Sequence, residues 1–200
     1  MDMEILFVVV LVAVSAGVWW YTEKQKTQKR FDDAVLRVLY NRLSPDTSKK
    51  LYRELIDCGD QGQQAYMLVR SVQIMSESMG IALKSKKREV AEDRMNTAKE
   101  HWNKVQDQFG PFMSPEVFEE VRNFYDARKK VFQTQLYANL VEVALTKAQS
   151  MKTKKSRLKY LDQADELLSE ATDHPACDET LLAKQFEILD ILRQREAVEA

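Results

Sequence analysis

Residues 63–82, QQAYMLVRSVQIMSESMGIA, decide the fold class. The apolar side chains Ala65, Leu68, Val72, Met75, Met79 and Ala82 recur at spacings of 3, 4, 3, 4 and 3 residues. At about 3.6 residues per turn this places all of them on one stripe of an α-helix, and it does not match the two-residue alternation of a strand. The following segment repeats the pattern with Ala91, Met95, Ala98, Trp102, Val105 and Phe109. Two such helices, joined through the basic stretch Lys84 to Arg88, are predicted to pack as an antiparallel pair that Gly110-Pro111 ends.

Working outward, Ser114-Pro115 reads as a cap with proline at the first helical position, and no Gly or Pro follows until Pro175. Two adjacent apolar rows run along this stretch. One is Phe118, Val121, Tyr125, Phe132, Leu136, Leu140 and Val143; the other is Val117, Phe124, Val131, Ala138, Val141 and Leu145. A face that wide needs more than one neighbour. The helix is expected to reach about Lys152, turn at a Lys/Thr/Ser cluster and return through Leu158, Leu161, Ala164, Leu168 and Ala171. A last helix with Leu182, Phe186 and Leu189 covers the open end. Upstream, Ser44-Pro45 opens a short helix carrying Leu51, Leu55 and Ile56 that stops near Gly59.

Composition agrees with long helices, because the chain has only 5 Gly and 4 Pro in 200 residues. Its 30 Lys and Arg against 31 Asp and Glu leave a net charge of −1, so the molecule is neither a polycation for nucleic acid nor an acidic tail. Cys58 and Cys177 lie far apart without metal-ligand spacing and are expected to be free structural thiols.

The N-terminus stands apart. Ile5 to Tyr21, ILFVVVLVAVSAGVWWY, is uncharged over 17 residues, which as a helix would span about 25 Å. Trp19, Trp20 and Tyr21 close it as an aromatic belt would, with Lys24 and Lys26 at the same expected membrane interface. Asp2 and Glu4 precede the run, and Lys24, Lys26, Lys29 and Arg30 follow it. The expectation is a single-pass membrane protein with its N-terminus outside and its C-terminal domain cytoplasmic. A cleaved secretory signal fits less well, because the first residues are acidic. The expected organisation is a transmembrane anchor over 1–22, a juxtamembrane helix over 23–43 continuous with it, and an α-helical hairpin domain over 44–200.

An internal repeat links the two hairpins. Lys84-Ser85-Lys86-Lys87 precedes Ala98, Trp102, Val105 and Pro111, and Lys152-Thr153-Lys154-Lys155 precedes Ala164, Leu168, Ala171 and Pro175. This small–bulky–small spacing before a proline resembles the second helix of a tetratricopeptide repeat over some 20 residues in each half. The resemblance implies an array of helical hairpins that binds protein partners. An ordinary helical bundle, whose small residues permit close helix approach, explains the same pattern.

Few residues of the chain fall in a pattern that chemistry requires. His101 and His174 lack metal-ligand partners in sequence, and no phosphate loop, nucleophile elbow or dinucleotide fingerprint occurs. The carboxylate groups Glu116-Glu119-Glu120 and Asp162-Asp165-Glu166-Glu170 read as solvated helix faces. Met67, Met75, Met79 and Met95 read as core. Thus no catalytic residue, cofactor or metal is expected, and the chain is not read as an enzyme. The candidate basic interaction patch comprises Lys84, Lys86, Lys87 and Arg88 with Lys152, Lys154, Lys155, Arg157 and Lys159. Basic helix connections also serve solubility and complement helix C-termini. As partners, proteins are expected, with membrane lipid through the N-terminal helix. Nucleic acid is disfavoured, because the clusters lack interleaved aromatics. Homo- and hetero-oligomers are both compatible. The functional expectation is a membrane-anchored helical scaffold or adaptor that binds protein partners at the cytoplasmic face. The alternative is a structural subunit of a larger membrane protein complex.

Overall fold

A computed structural model describes the backbone of residues 3–40, 45–57, 60–110 and 112–198, and the side chains among them except those of 3–11, 45–47 and 60. Among these residues all regular structure is helical, as the spacing predicts. The order is α1 (Met3–Tyr40), α2 (Pro45–Ile56), α3 (Asp60–Ala82), α4 (Arg88–Gln108), α5 (Pro115–Ser150), α6 (Lys154–Asp173), a 3-10 turn (Glu179–Leu182) and α7 (Ala183–Val198). Leu43, Ser44, Cys58, Gly59 and Pro111 lie outside the described residues.

The N-terminal expectation is corrected. Among the described residues no helix is long and apolar enough to cross a membrane, which overturns the single-pass reading with its outside N-terminus and cytoplasmic domain. The physical reason is length. Among the described side chains the uncharged stretch runs only from Val12 to Thr22, about 16 Å of helix, before α1 continues without a break into Glu23, Lys24 and Lys26. Trp19, Trp20 and Tyr21 are exposed, and Lys24 and Lys26 make contacts within the helix. The Lys24 ammonium lies 5.3 Å from the Trp20 ring centroid, and Lys26 pairs with Glu23 at 2.8 Å. Both are ordinary contacts between neighbouring turns of a helix.

The chain divides into two compact units, to which α3, α4 and α5 each contribute a part. The first comprises Met1–Gln73 and Asn103–Val121. Its core gathers Phe31, Val35, Val38 and Leu39 of α1, Leu51 and Leu55 of α2, Leu68 and Val72 of α3, and Phe112 and Phe118. Phe31 meets Phe112 edge to face at 6.0 Å, and Phe109 stacks on Phe118 at 3.8 Å. The Ser114 cap forms as expected: its hydroxyl accepts from the Val117 amide, while its own amide donates to Asp32 at 2.9 Å. Gly62 is buried where α2 and α3 approach, so that a Cβ there would collide with the Leu55 carbonyl. The absence of a side chain sets that approach.

The second unit comprises Ile74–Trp102 and Arg122–Ala200. Ala82 of α3, Ala91 of α4, and Phe132 and Leu136 of α5 form one buried cluster, with Met95 and Leu140 against it. Trp102 stacks on Tyr125 at 5.0 Å, so α4 runs antiparallel to α5. A larger cluster joins Tyr137, Val141, Leu145 and Ala148 of α5 to Leu161, Ala164, Leu168 and Ala171 of α6, together with Leu182 and Leu189. α6 and α7 are also antiparallel neighbours, because Arg157 bonds Glu196 while Arg193 meets Asp162 and Asp165. Four side chains expected inside stand in solvent: Met67, Val131, Leu158 and Phe186. Met67 is the most exposed of them at 59%, and the other three are each covered in part.

Candidate functional site

The candidate site is built from the two basic turns of the second unit, and the structure treats them differently. The first connects α3 to α4. Ser85 organises it, its hydroxyl accepting from the Lys87 amide at 3.2 Å. Asn139, buried on α5, holds the turn from below: its amide nitrogen donates to the Leu83 carbonyl at 2.9 Å and the Ser85 carbonyl at 3.0 Å. Gln135 in turn donates to the Asn139 side-chain oxygen at 2.9 Å. A buried amide with both ends bonded specifies a geometry more than it adds stability.

Acids of α5 and α6 offset the charge on this turn. Lys86 pairs with Glu142 at 3.4 Å, and Arg88 donates to Glu170 at 2.7 Å with its guanidinium 5.3 Å from the Tyr137 ring centroid. The Glu170 carboxylate holds Arg88 above its usual range. Burial pushes the Tyr137 phenol up, an effect that Arg88 opposes. Lys84 and Lys87 point to solvent without an ion pair among the described residues.

The second turn connects α5 to α6. Thr153 caps α6 by accepting from the Ser156 amide at 3.3 Å. Arg157 faces inward and is half-buried. Its Nε and Nη2 donate to the two oxygens of Glu196, at 2.5 and 3.0 Å, and its Nη1 donates to the Lys152 carbonyl at 3.2 Å. This fork holds the Glu196 carboxyl below the usual carboxylate range and ties the end of α7 to the turn. Lys152, Lys155 and Lys159 are exposed and Lys154 half-exposed, and none forms an ion pair with a described carboxylate. Lys154, Lys155, Ser156, Leu158, Lys159 and Asp162 line an open groove along the first turns of α6.

The remaining sequence candidates have structural surroundings. Asp162 and Asp165 flank Arg193, and the His174 Nδ1 accepts from the Ala176 amide at 3.2 Å while its ring tilts against Tyr137. Cys177 is free and half-buried, and burial pushes its thiol up, opposite to what a reactive thiolate needs. Among the described residues no group of His, Cys, Asp and Glu is placed to hold a metal. Sequence reasoning missed Asn139, Thr134 and Glu196. Thr134, also buried on α5, accepts from the Asp178 amide at 2.9 Å and so fixes the turn after Pro175. The only sequence signal for Asn139 and Thr134 was a polar residue between apolar ones, and for Glu196 there was none. Chemically, the arrangement can attract anions at the second turn. No protein-family model, no curated protein and no solved structure matches this chain.

Proposed function

We propose that this chain is a helical scaffold that works by binding protein partners. One observation carries the reading: the outer part of α1 presents Val12, Val14, Val18, Trp19, Trp20 and Tyr21 to solvent at 58–67% exposure. The first buried side chain described on that helix is Phe31. Fully burying a large apolar side chain is worth about 1.5–3 kcal/mol, so a continuous helical surface of this kind favours a protein that covers it. The tetratricopeptide-like reading of the hairpins belongs to the same proposal. It is supported by the burial of both matching triplets, Ala98, Trp102 and Val105 in α4 and Ala164, Leu168 and Ala171 in α6.

A photoreactive phenylalanine derivative in place of Trp20, in intact cells, tests the proposal. It is expected to give a discrete protein adduct, while the same group at the exposed Glu100 of α4 gives none. No adduct at Trp20, or adducts with lipid alone, would sink the reading. The alternative, a structural subunit of a larger assembly, draws on the same exposed surface. Its mark is a partner that never leaves during size-exclusion chromatography, whereas a scaffold exchanges its partner.

A further inference from the structure

Rival candidates are weaker. The cleft between α1 and α2 alternates Arg30, Asp33, Arg37 and Glu54, so its charges answer one another, and the groove beside Cys177 rests on a lone thiol. The start of α6 is different. We propose that its groove is a docking site for an acidic peptide segment that carries an aliphatic side chain between its carboxylates.

Three observations support this. Lys155, Leu158, Lys159 and Asp162 fall at i, i+3, i+4 and i+7, so they share one face of α6 and line one groove. That face reads cation, apolar, cation, anion. Leu158, at 37% exposure, lines the groove together with Lys155 and Lys159 and supplies an apolar part of its floor. The charge is also uncommitted. The first turn answers Lys86 and Arg88 with Glu142 and Glu170 and leaves Lys84 and Lys87, whereas the second leaves Lys152, Lys155 and Lys159 without an ion pair among the described residues, and Lys154 is drawn toward Glu196. Meanwhile Arg157 is turned inward, and its bond to the Lys152 carbonyl fixes the backbone from which these lysines project. Preorganised cations with an apolar floor complement a segment bearing carboxylates one helical turn apart with a leucine-like side chain between them. Asp162, held by Arg193 at 3.3 Å, closes the far end and disfavours a uniformly anionic polymer. A nucleic acid strand would want an aromatic stacking platform, and Tyr160 lies instead beneath the Lys147 ammonium at 5.5 Å.

This inference rests on the reading of the chain as a protein-binding scaffold, but its test is separate from the α1 cross-link. A labelled peptide of glutamates flanking a leucine pair would be titrated into the full chain and followed by fluorescence anisotropy. Lys155→Glu with Lys159→Glu should weaken binding roughly tenfold, because attraction becomes repulsion at both contacts. Lys84→Glu with Lys87→Glu changes the net charge equally at the first turn and should shift affinity less than about twofold. Leu158→Ser should weaken the leucine peptide and leave an all-glutamate peptide unchanged. If the first double variant melts early, Lys155→Gln with Lys159→Gln replaces it and should still weaken binding.

Equal losses from the two turns would overturn the proposal, as would no binding of the peptide. So would a larger loss, in the same variant, of binding to duplex DNA or phosphatidylserine vesicles. A Trp20 adduct with no peptide binding would remove this site while leaving the scaffold; peptide binding without the adduct would do the reverse.

Discussion

Lys84-Ser85-Lys86-Lys87 and Lys152-Thr153-Lys154-Lys155 are nearly the same words, yet they end as different surfaces. The first turn is braced from beneath by Asn139 and answered by Glu142 and Glu170. The second is braced by Arg157, which forks onto Glu196, and leaves Lys152, Lys155 and Lys159 exposed without an ion pair among the described residues. A basic motif therefore does not define a basic surface. What decides is which carboxylates the packing brings within about one salt-bridge length, since exposed charges beyond a Debye length of about 8 Å scarcely feel one another.

The sharpest test of the comparison is at the bulky position of each matching triplet, Trp102 and Leu168. Trp102→Ala should cost about 3–5 kcal/mol, because it removes a buried indole stacked on Tyr125, and Leu168→Ala about 2–5 kcal/mol. Thermal melts of both variants would check this. An unchanged melting temperature in either would mean that the two hairpins are not built alike.

Next comes the brace of the first turn. Asn139→Ala strands the Leu83 and Ser85 carbonyls and should cost about 1–3 kcal/mol. Hydrogen exchange should quicken at the amides of residues 85–91 and stay unchanged at 153–157. Equal quickening at both places would show that the turns are not held independently.

The brace of the second turn carries a pH signature. The Glu196 carboxyl is depressed below its ordinary value of 4.5 by the Arg157 hydrogen bond. A depressed carboxyl stabilises the fold fully above the unfolded value, and that stability is lost as pH falls through the lower, folded value. Glu196→Gln should therefore lower the melting temperature at neutral pH, and its deficit against the parent should shrink below about pH 4.5. A deficit that is the same at every pH would mean that the charge of the fork does not matter.

The smallest effect belongs to the exposed pair. Lys86→Gln should cost about 0.2–1 kcal/mol at most, and less as salt rises, because both partners are more than half exposed. A larger, salt-independent loss would make the first turn's neutralisation structural rather than superficial.

Much of this molecule is readable from spacing. The stripe from Ala65 to Ala82 is buried throughout, and so are Ala98, Trp102 and Val105. Helical geometry alone places such residues on one face, and burying that face is the dominant favourable term. Met67, Val131, Leu158 and Phe186 were misread because apolarity shows what a side chain favours, not whether a neighbour reaches it. The uncharged run at the N-terminus misled in a related way: it reads as a span, yet among the described residues no helix is long and apolar enough to cross a membrane.

By itself, the sequence determined the helical class, the buried stripes, the Ser114 cap and the two basic turns that join α3 to α4 and α5 to α6, because each depends on neighbours within about one or two helical turns. The tertiary structure alone decided which basic side chains of the two turns meet a carboxylate. Glu142 lies 56 residues from Lys86, Glu170 lies 82 from Arg88, and Glu196 lies 39 from Arg157. Coulombic pairing acts over a few ångströms of space and is indifferent to distance along the chain, so only the packing of α5, α6 and α7 could assign these partners.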